Sequence, residues 1–278
     1  MDYYSSLFAS KLSGGGGSGV TVEPLTVTEN GTYQEEGKAY SPVNVNVSGG
    51  EWTTDGIAQG LEPNGDIVLG NEVTEIGNYA FMGKPIVSIN TNNATRIGTS
   101  ALGFCANLTN VSFPNVTSIG GRFFDGCKIE KLIMPKLASI ANTTIPFGGS
   151  HQLKILVLPS VTTIGYNNFT GNQPLNTLDL GEQFSNIGWN MLNGTGNLDC
   201  LILRKKDGVV SVDASTMNST KFKDGNTGGT LYVPNALISS YQSATNWSTI
   251  LGYANNQIKA IEGSIYENAY ADGTPIGA

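Results

Sequence analysis

Side chains able to do covalent or acid–base chemistry are few in this chain. Its 278 residues include one histidine, His151, and three cysteines, Cys105, Cys127 and Cys200. A single imidazole removes most histidine-dependent triads, metal sites and general-base schemes. His151 follows Gly148-Gly149-Ser150 ahead of a strand-like segment, the setting of a solvated loop residue. No GxSxG, HExxH, CxxC, P-loop or EF-hand pattern occurs. Gly14, Gly16 and Gly19 satisfy GxGxxG, but inside an SGGGGSG run with no preceding strand and no following βαβ unit, so the match is compositional. A two-carboxylate glycosidase scheme is the one left open, and the acids are scattered. The expectation is a non-enzymatic protein with no catalytic residue, no metal and no cofactor.

Composition narrows the partners. Lys and Arg number 15 against 22 Asp and Glu, a net charge of −7, and the few cations are not clustered, so a nucleic-acid backbone would be repelled. Charged residues make up 13% and glycines number 36, which describes a weakly charged, turn-rich chain. No run reaches the roughly 20 apolar residues of a membrane span, and MDYYSSLFASKLS lacks the basic and apolar regions of a signal peptide. No membrane insertion is expected.

What must position any binding residue is a repeat. Ile76-Gly77, Ile97-Gly98, Ile119-Gly120, Ile140-Ala141, Ile164-Gly165 and Ile187-Gly188 stand 21, 22, 21, 24 and 23 residues apart. Between them recur segments such as Leu108-Thr-Asn-Val111-Ser-Phe113-Pro114 and Leu153-Lys154-Ile-Leu156-Val-Leu158-Pro159. Each unit reads LxxLxL, often Pro, then a second short extended stretch ending at IG. Alternate residues of LxLxP point inward, and Pro ends the strand. Glycine after the isoleucine is expected to permit a tight turn, and Phe81, Leu102, Phe124, Phe169 and Met191 close the coil from the opposite wall. One coil buries too little to offset the entropy of ordering it, so coils must stack. The fold class is therefore mainly β: a leucine-rich solenoid of about seven coils, about 34 Å long at the strand spacing. Cys105 and Cys127 occupy one position in successive coils and read as stacked core fillers, while alternation puts Cys200 on the outer side of its strand.

The remaining segments divide as follows. Residues 1–12 place Tyr4, Leu7, Phe8 and Lys11/Leu12 on one helical stripe, an amphipathic attachment helix too short to be stable alone. Residues 13–19 are a flexible glycine-serine tether, and an introduced spacer would have the same composition. Residues 20–50 alternate with period two around Asn30-Gly31, a hairpin signal within a small β module that needs cover on one face. The solenoid occupies 51–229. A cap follows at 230–262, with Asn235 as helix N-cap ahead of Leu237, Ile238, Tyr241 and Ala244 and with Trp247 over the last coil. The tail, 263–278, lacks periodicity and is expected to be disordered or to pair with a partner.

VTEIGNYAF, GFCANLTNVSFPNVTSIG, ILVLPSVTTIGYNNF and LYVPNALISSYQSATNWS closely resemble the BspA-like leucine-rich repeat family of bacterial surface proteins, over about residues 72–262. That resemblance implies a right-handed solenoid used in adhesion or surface recognition rather than catalysis. The amino-terminal third, through ENGTY and GKAYSPVNVNV, is similar to the start of tail-associated structural proteins of phages and prophages of Gram-positive gut bacteria. This second resemblance implies a virion protein, assembled in the bacterial cytoplasm without an export signal, with other tail proteins as partners and a homotrimer as one form of assembly. The two together suggest a tail or baseplate-associated protein displaying its solenoid toward a bacterial surface glycan or protein. The alternatives are a cell-surface adhesin and a purely structural virion component.

Binding on the repeat body is expected on the outer face of the parallel sheet, where side chains align from coil to coil. Alternation assigns Lys131, Ile133, Ile155, Val157, Thr177, Asp179 and Ile202 to that face. Ile133, Ile155, Val157 and Ile202 would form an apolar strip in water, the mark of an interface, unless a loop or the chain's own terminus covers it.

Overall fold

The computed structural model describes residues 74–268 apart from 143–144, 150–151, 173, 214, 217–219, 221, 223–228 and 251–256; ahead of these it describes strand segments between 25 and 69. The attachment stripe of Tyr4, Leu7, Phe8 and Leu12, the glycine-serine run, His151 and residues 269–278 lie outside the described residues. No helix among the described residues is long and apolar enough to cross a membrane.

Each LxLxP segment becomes one rung of a parallel sheet. The rungs are β6 (Gly65–Leu69), β8 (Ile86–Asn90), β10 (Asn110–Ser112), β12 (Lys131–Ile133), β14 (Ile155–Leu158), β16 (Thr177–Leu180), β18 (Cys200–Leu203) and β20 (Thr230–Val233). A last strand, β21 (Ile258–Ala260), adds in parallel to β20. Equivalent leucines meet in register, Leu132 with Leu156, Leu178, Leu201 and Leu231, and all five are buried. The IG stretches form short rungs on another wall: β7 (Glu75–Ile76), β9 (Arg96–Ile97), β11 (Ser118–Ile119), β13 (Ser139–Ile140), β15 (Thr163–Ile164), β17 (Asn186–Ile187) and β19 (Ser211–Val212). Ile76, Ile97 and Ile119 lie in register, as do Ile140 with Ile164 and Ile187 with Val212. One apolar cluster runs from Ile67 to Ile258 through the whole stack. Its rings are in mutual contact, Phe147 stacking on Phe169 at 5.5 Å between centroids. Threonines seal the short wall by donating to the preceding coil, as Thr95 Oγ1 does to the Thr74 carbonyl and Thr162 Oγ1 to that of Ala138.

The glycine after isoleucine serves a different purpose from the expected tight turn. Gly98, Gly120 and Gly165 do not have positive φ; the left-handed residues of the corner are Tyr79, Ser100, Arg122, Asn167 and Asn190, two positions further on. Glycine is needed because the neighbouring coil is too close: a Cβ on Gly120 would lie 2.3 Å from the Thr99 nitrogen, and one on Gly98 2.5 Å from that of Asn78. The short ladder is interrupted between β11 and β13 and between β15 and β17. Ala141 stands at the first interruption, and at the second a Cβ on Gly188 would meet nothing closer than the Asn186 side chain at 3.3 Å. Gly120→Ala should therefore cost about 1–3 kcal/mol in urea unfolding, through the backbone shift it forces. Gly188→Ala should stay within about 0.5 kcal/mol of wild type.

The ends also differ from expectation. In the amino-terminal module β1 (Leu25–Glu29) pairs antiparallel with β4 (Asn44–Val47), not across Asn30-Gly31 with β2 (Tyr33–Glu35), which pairs with β3 (Lys38–Tyr40). Strand β5 (Gly50–Trp52) extends β4, and β1 pairs in parallel with β6, so the module covers the first edge of the solenoid sheet. At the other end Asn235 is not an N-cap but the first residue of a 3₁₀ turn, its backbone N–H donating to Glu262 Oε2 at 2.8 Å. Helix α1 (Ile238–Ser243) buries Tyr241, and α2 (Trp247–Ile250) begins with the buried Trp247.

Cys105 and Cys127 are buried free thiols in successive coils, donating to the carbonyls of Phe81 at 2.9 Å and Leu102 at 3.0 Å. Its neighbour Cys105 and burial push the Cys127 thiol far up, so Cys127 remains an inert core group.

Candidate functional site: the outer face of the sheet and its cleft

The outer face carries two rows, Lys131, Ile155, Thr177, Cys200 and Thr230 in one and Ile133, Val157, Asp179, Ile202 and Tyr232 in the other. They do not form an open strip. Val157, Asp179 and Ile202 have no exposed surface, and Thr177 and Cys200 are buried. The expectation of an exposed surface at these positions is corrected: they belong to a second, smaller apolar cluster with Ile261, against which Ile133, Ile155, Tyr232 and Tyr266 pack.

The cover comes partly from the first part of the tail, residues 263–268, which folds back on the sheet of its own chain. After β21 the chain turns tightly, Ser264 N–H donating to the Ile261 carbonyl and Tyr266 N–H to Ser264 Oγ. The Tyr266 ring then meets Tyr232 edge to face at 4.7 Å. Arg204 holds the arrangement in place. Its Nε donates to Asp179 Oδ1 and its Nη2 to Asp179 Oδ2, each at 2.8 Å, while Nη2 also donates to the Tyr266 carbonyl at 2.8 Å. Burial pushes the Cys200 thiol up to about 11, and the same desolvation raises the Tyr266 and Tyr232 hydroxyls.

Lys131, Ile133 and Ile155 remain half-exposed at the other side of this cluster. Here the main sheet is interrupted: β10 ends one six-stranded sheet and β12 begins another, with no ladder between them. The two coils still touch at the strand starts, where Lys128 N–H donates to the Leu108 carbonyl at 2.9 Å. Beyond that contact they part, and the cleft of about 1240 Å³ is lined by Asn110, Ser112, Lys128, Lys131, Ile133 and three prolines, Pro114, Pro135 and Pro159. Val111, inward by pattern, is only half-buried beside it. Glu130 in the lining is paired with Lys154 at 2.9 Å. Among the described residues no such ion pair engages Lys128 or Lys131, and desolvation lowers the Lys131 ammonium. The cleft therefore offers two cations, amide and hydroxyl groups and an apolar floor, in a protein whose net charge is −7.

These are groups for binding. Among the described residues no three His, Cys, Asp or Glu side chains are grouped so as to hold a metal ion. Of the residues expected on this face the structure brings Lys131 and Ile133 to the cleft and puts Val157, Thr177, Asp179 and Ile202 under cover. Lys128, Gln152 and the three prolines were not foreseen: the 21 residues from Ile119 to Ile140 across the break equal those from Ile76 to Ile97, which are paired.

No curated protein matches the chain. A leucine-rich cell surface protein from Faecalibacterium prausnitzii, known from its crystal structure, aligns with 17% identity and a TM-score of 0.37, over 61% of this chain and 63% of that one. The chain thus spans less than two thirds of that protein's length. A family model described as the BspA type leucine-rich repeat region matches residues 61–153 and 146–269 in six copies. With the ladder of leucine rungs behind that match, the chain belongs to the BspA type leucine-rich repeat family.

Proposed function

We propose that this chain is a non-enzymatic recognition protein of a bacterial cell surface, binding a surface molecule in the cleft between β10 and β12. The observation that carries this reading is the interruption of an otherwise regular sheet at the point where Lys128, Lys131 and Ile133 converge. A rigid solenoid with a cationic cleft suits an anionic group on a surface polymer or protein, since the ligand gains charge contacts without ordering the protein. Family membership supports the surface setting. Attachment falls to the stripe of Tyr4, Leu7, Phe8 and Leu12, with trimerisation through that helix as one form of assembly. The virion setting rests on the amino-terminal residues, which lie outside the stretch the family model matches, and is kept as the alternative.

The test is binding of the purified chain to whole bacterial cells. Lys131→Glu is expected to weaken binding at least tenfold while leaving the melting curve in place, and Ile133→Asp to weaken it as much with some loss of stability, because the isoleucine also packs on the covered cluster. Binding should fall as salt is raised. Unchanged binding by both variants would sink the cleft as the site.

A further inference from the structure

A second surface feature lies on a different wall of the solenoid and does not depend on the cleft. Tyr166 and Trp189 occupy the same place in successive coils, two residues after Ile164 and Ile187. In the other coils this position holds Asn78, Thr99, Gly121 and Asn142. Trp189 is 57% exposed and Tyr166 36%, and their rings lie 5.8 Å apart between centroids at 59° to one another. Among the described residues neither the Tyr166 hydroxyl nor the Trp189 indole N–H has a hydrogen-bond partner. A lone exposed aromatic needs no explanation, but two in contact form an apolar patch with polar tips, the usual composition of a binding hot spot.

The surroundings select the ligand. The coil corner is built of amides: Asn142 precedes the pair in the stack, its Oδ1 accepting from Tyr166 N–H, and the left-handed residues next to the rings are Asn167 and Asn190. No lysine or arginine occurs within four residues after Ile140, Ile164 or Ile187. The nearest carboxylate in sequence register, Asp213 on the following coil, is committed to the N–H and hydroxyl of Ser215, which hold it below the usual carboxylate range. An anionic ligand would gain no cation here. A protein partner would meet the same aromatic centre with a polar rim, and is separated from a glycan by the protease and periodate arms of the test. A sugar ring has a C–H face that can lie on an indole and a rim of hydroxyls that amides can bond. We infer that Tyr166 and Trp189 form a platform for a neutral glycan.

The experiment is affinity electrophoresis of the full chain in gels containing mannan, dextran, a β-1,3-glucan or galactan, with alginate as the anionic comparison. Wild type is expected to be retarded by at least one neutral polysaccharide and not by alginate. Trp189→Ala should weaken that interaction roughly tenfold or more and Tyr166→Ala by a smaller factor, with Trp189→Tyr restoring part of it. Ile133→Asp, which tests the cleft, should leave it unchanged, so failure of one site is distinguishable from failure of the other. Retardation by none of the neutral polysaccharides, or equal retardation of wild type and Trp189→Ala, overturns the inference. Trp189-dependent binding to cells that survives periodate oxidation but is lost on protease treatment overturns it in favour of a protein partner.

Discussion

Replacing Asp179 by alanine is expected to destabilise the protein by about 3–5 kcal/mol, the usual consequence of stripping a buried ion of its partner. Asp179 has no exposed surface, and Arg204, whose side chain is 11% exposed, meets it with two parallel hydrogen bonds. The carboxylate does more than neutralise the guanidinium. It orients it, and Nη2 then reaches the Tyr266 carbonyl. Loss of Asp179 should therefore loosen the turn at 261–268 ahead of the coils, so that limited proteolysis cuts near Tyr266 before global unfolding. Asp179→Leu with Arg204→Met removes both charges and should recover most of the stability, because the surrounding cluster of Val157, Ile202 and Ile261 is apolar. Thermal melting of the single and double variants decides this. A single variant as stable as wild type would show that the pair is not what holds the cover down.

Trp247→Ala is expected to have a comparable effect, about 3–5 kcal/mol, at the opposite edge of the last coil. The Val210 peptide group is the reason. Its N–H donates to the Tyr241 hydroxyl at 3.0 Å, and its carbonyl accepts from the Trp247 indole N–H at 2.6 Å, while the two rings pack edge to face at 5.5 Å. All three residues are buried, so the cap both shields the apolar end of the stack and satisfies a peptide group near its last short strand. Burial pushes the Tyr241 hydroxyl up to about 12, with the hydrogen bond from the Val210 N–H pulling the other way. Trp247→Phe keeps ring packing but leaves the carbonyl unpaired, so its cost should be smaller, about 1–3 kcal/mol. Chemical denaturation measures both, and a Phe variant as unstable as the Ala variant would mean that the hydrogen bond rather than the packing dominates.

The two pairs show what alternation can and cannot tell. Period-two patterning placed Asp179 on the outer face correctly, and an aspartate among Val157, Ile133 and Ile202 is already an anomaly that asks for a cation. Arg204 lies two residues beyond Ile202 and so on the same face, but its partnership depends on adjacent rungs being in register, which the pattern of one strand does not contain. The cover is less legible still. Nothing in GSIYEN distinguishes a free tail from a turn that lays Tyr266 on Tyr232, because the contact spans 34 residues of sequence and is chosen by shape.

Gly120 and Ala141 make the same point about the backbone. Both follow an isoleucine of the repeat, and the pattern alone suggests a turn residue at each. The real constraint is the neighbouring coil, present within 2.5 Å of a Cβ at Gly120 and relaxed where β11 and β13 part company. The cleft between β10 and β12 arises at the same step of the stack, and the residues lining it come from three coils.

The periodicity of leucines and isoleucines, by itself, determined the coil, its inward and outward residues and the in-register stacking, because a unit that cannot bury its own apolar side has only its neighbours to bury it against. It also determined that Cys105 and Cys127 would fill one column. Which outward residues stay in water, where the ladder breaks and which chain ends fold back were decided only by the tertiary structure. Those outcomes rest on contacts between coils and termini far apart in sequence, and their energies depend on fit and register rather than on residue type.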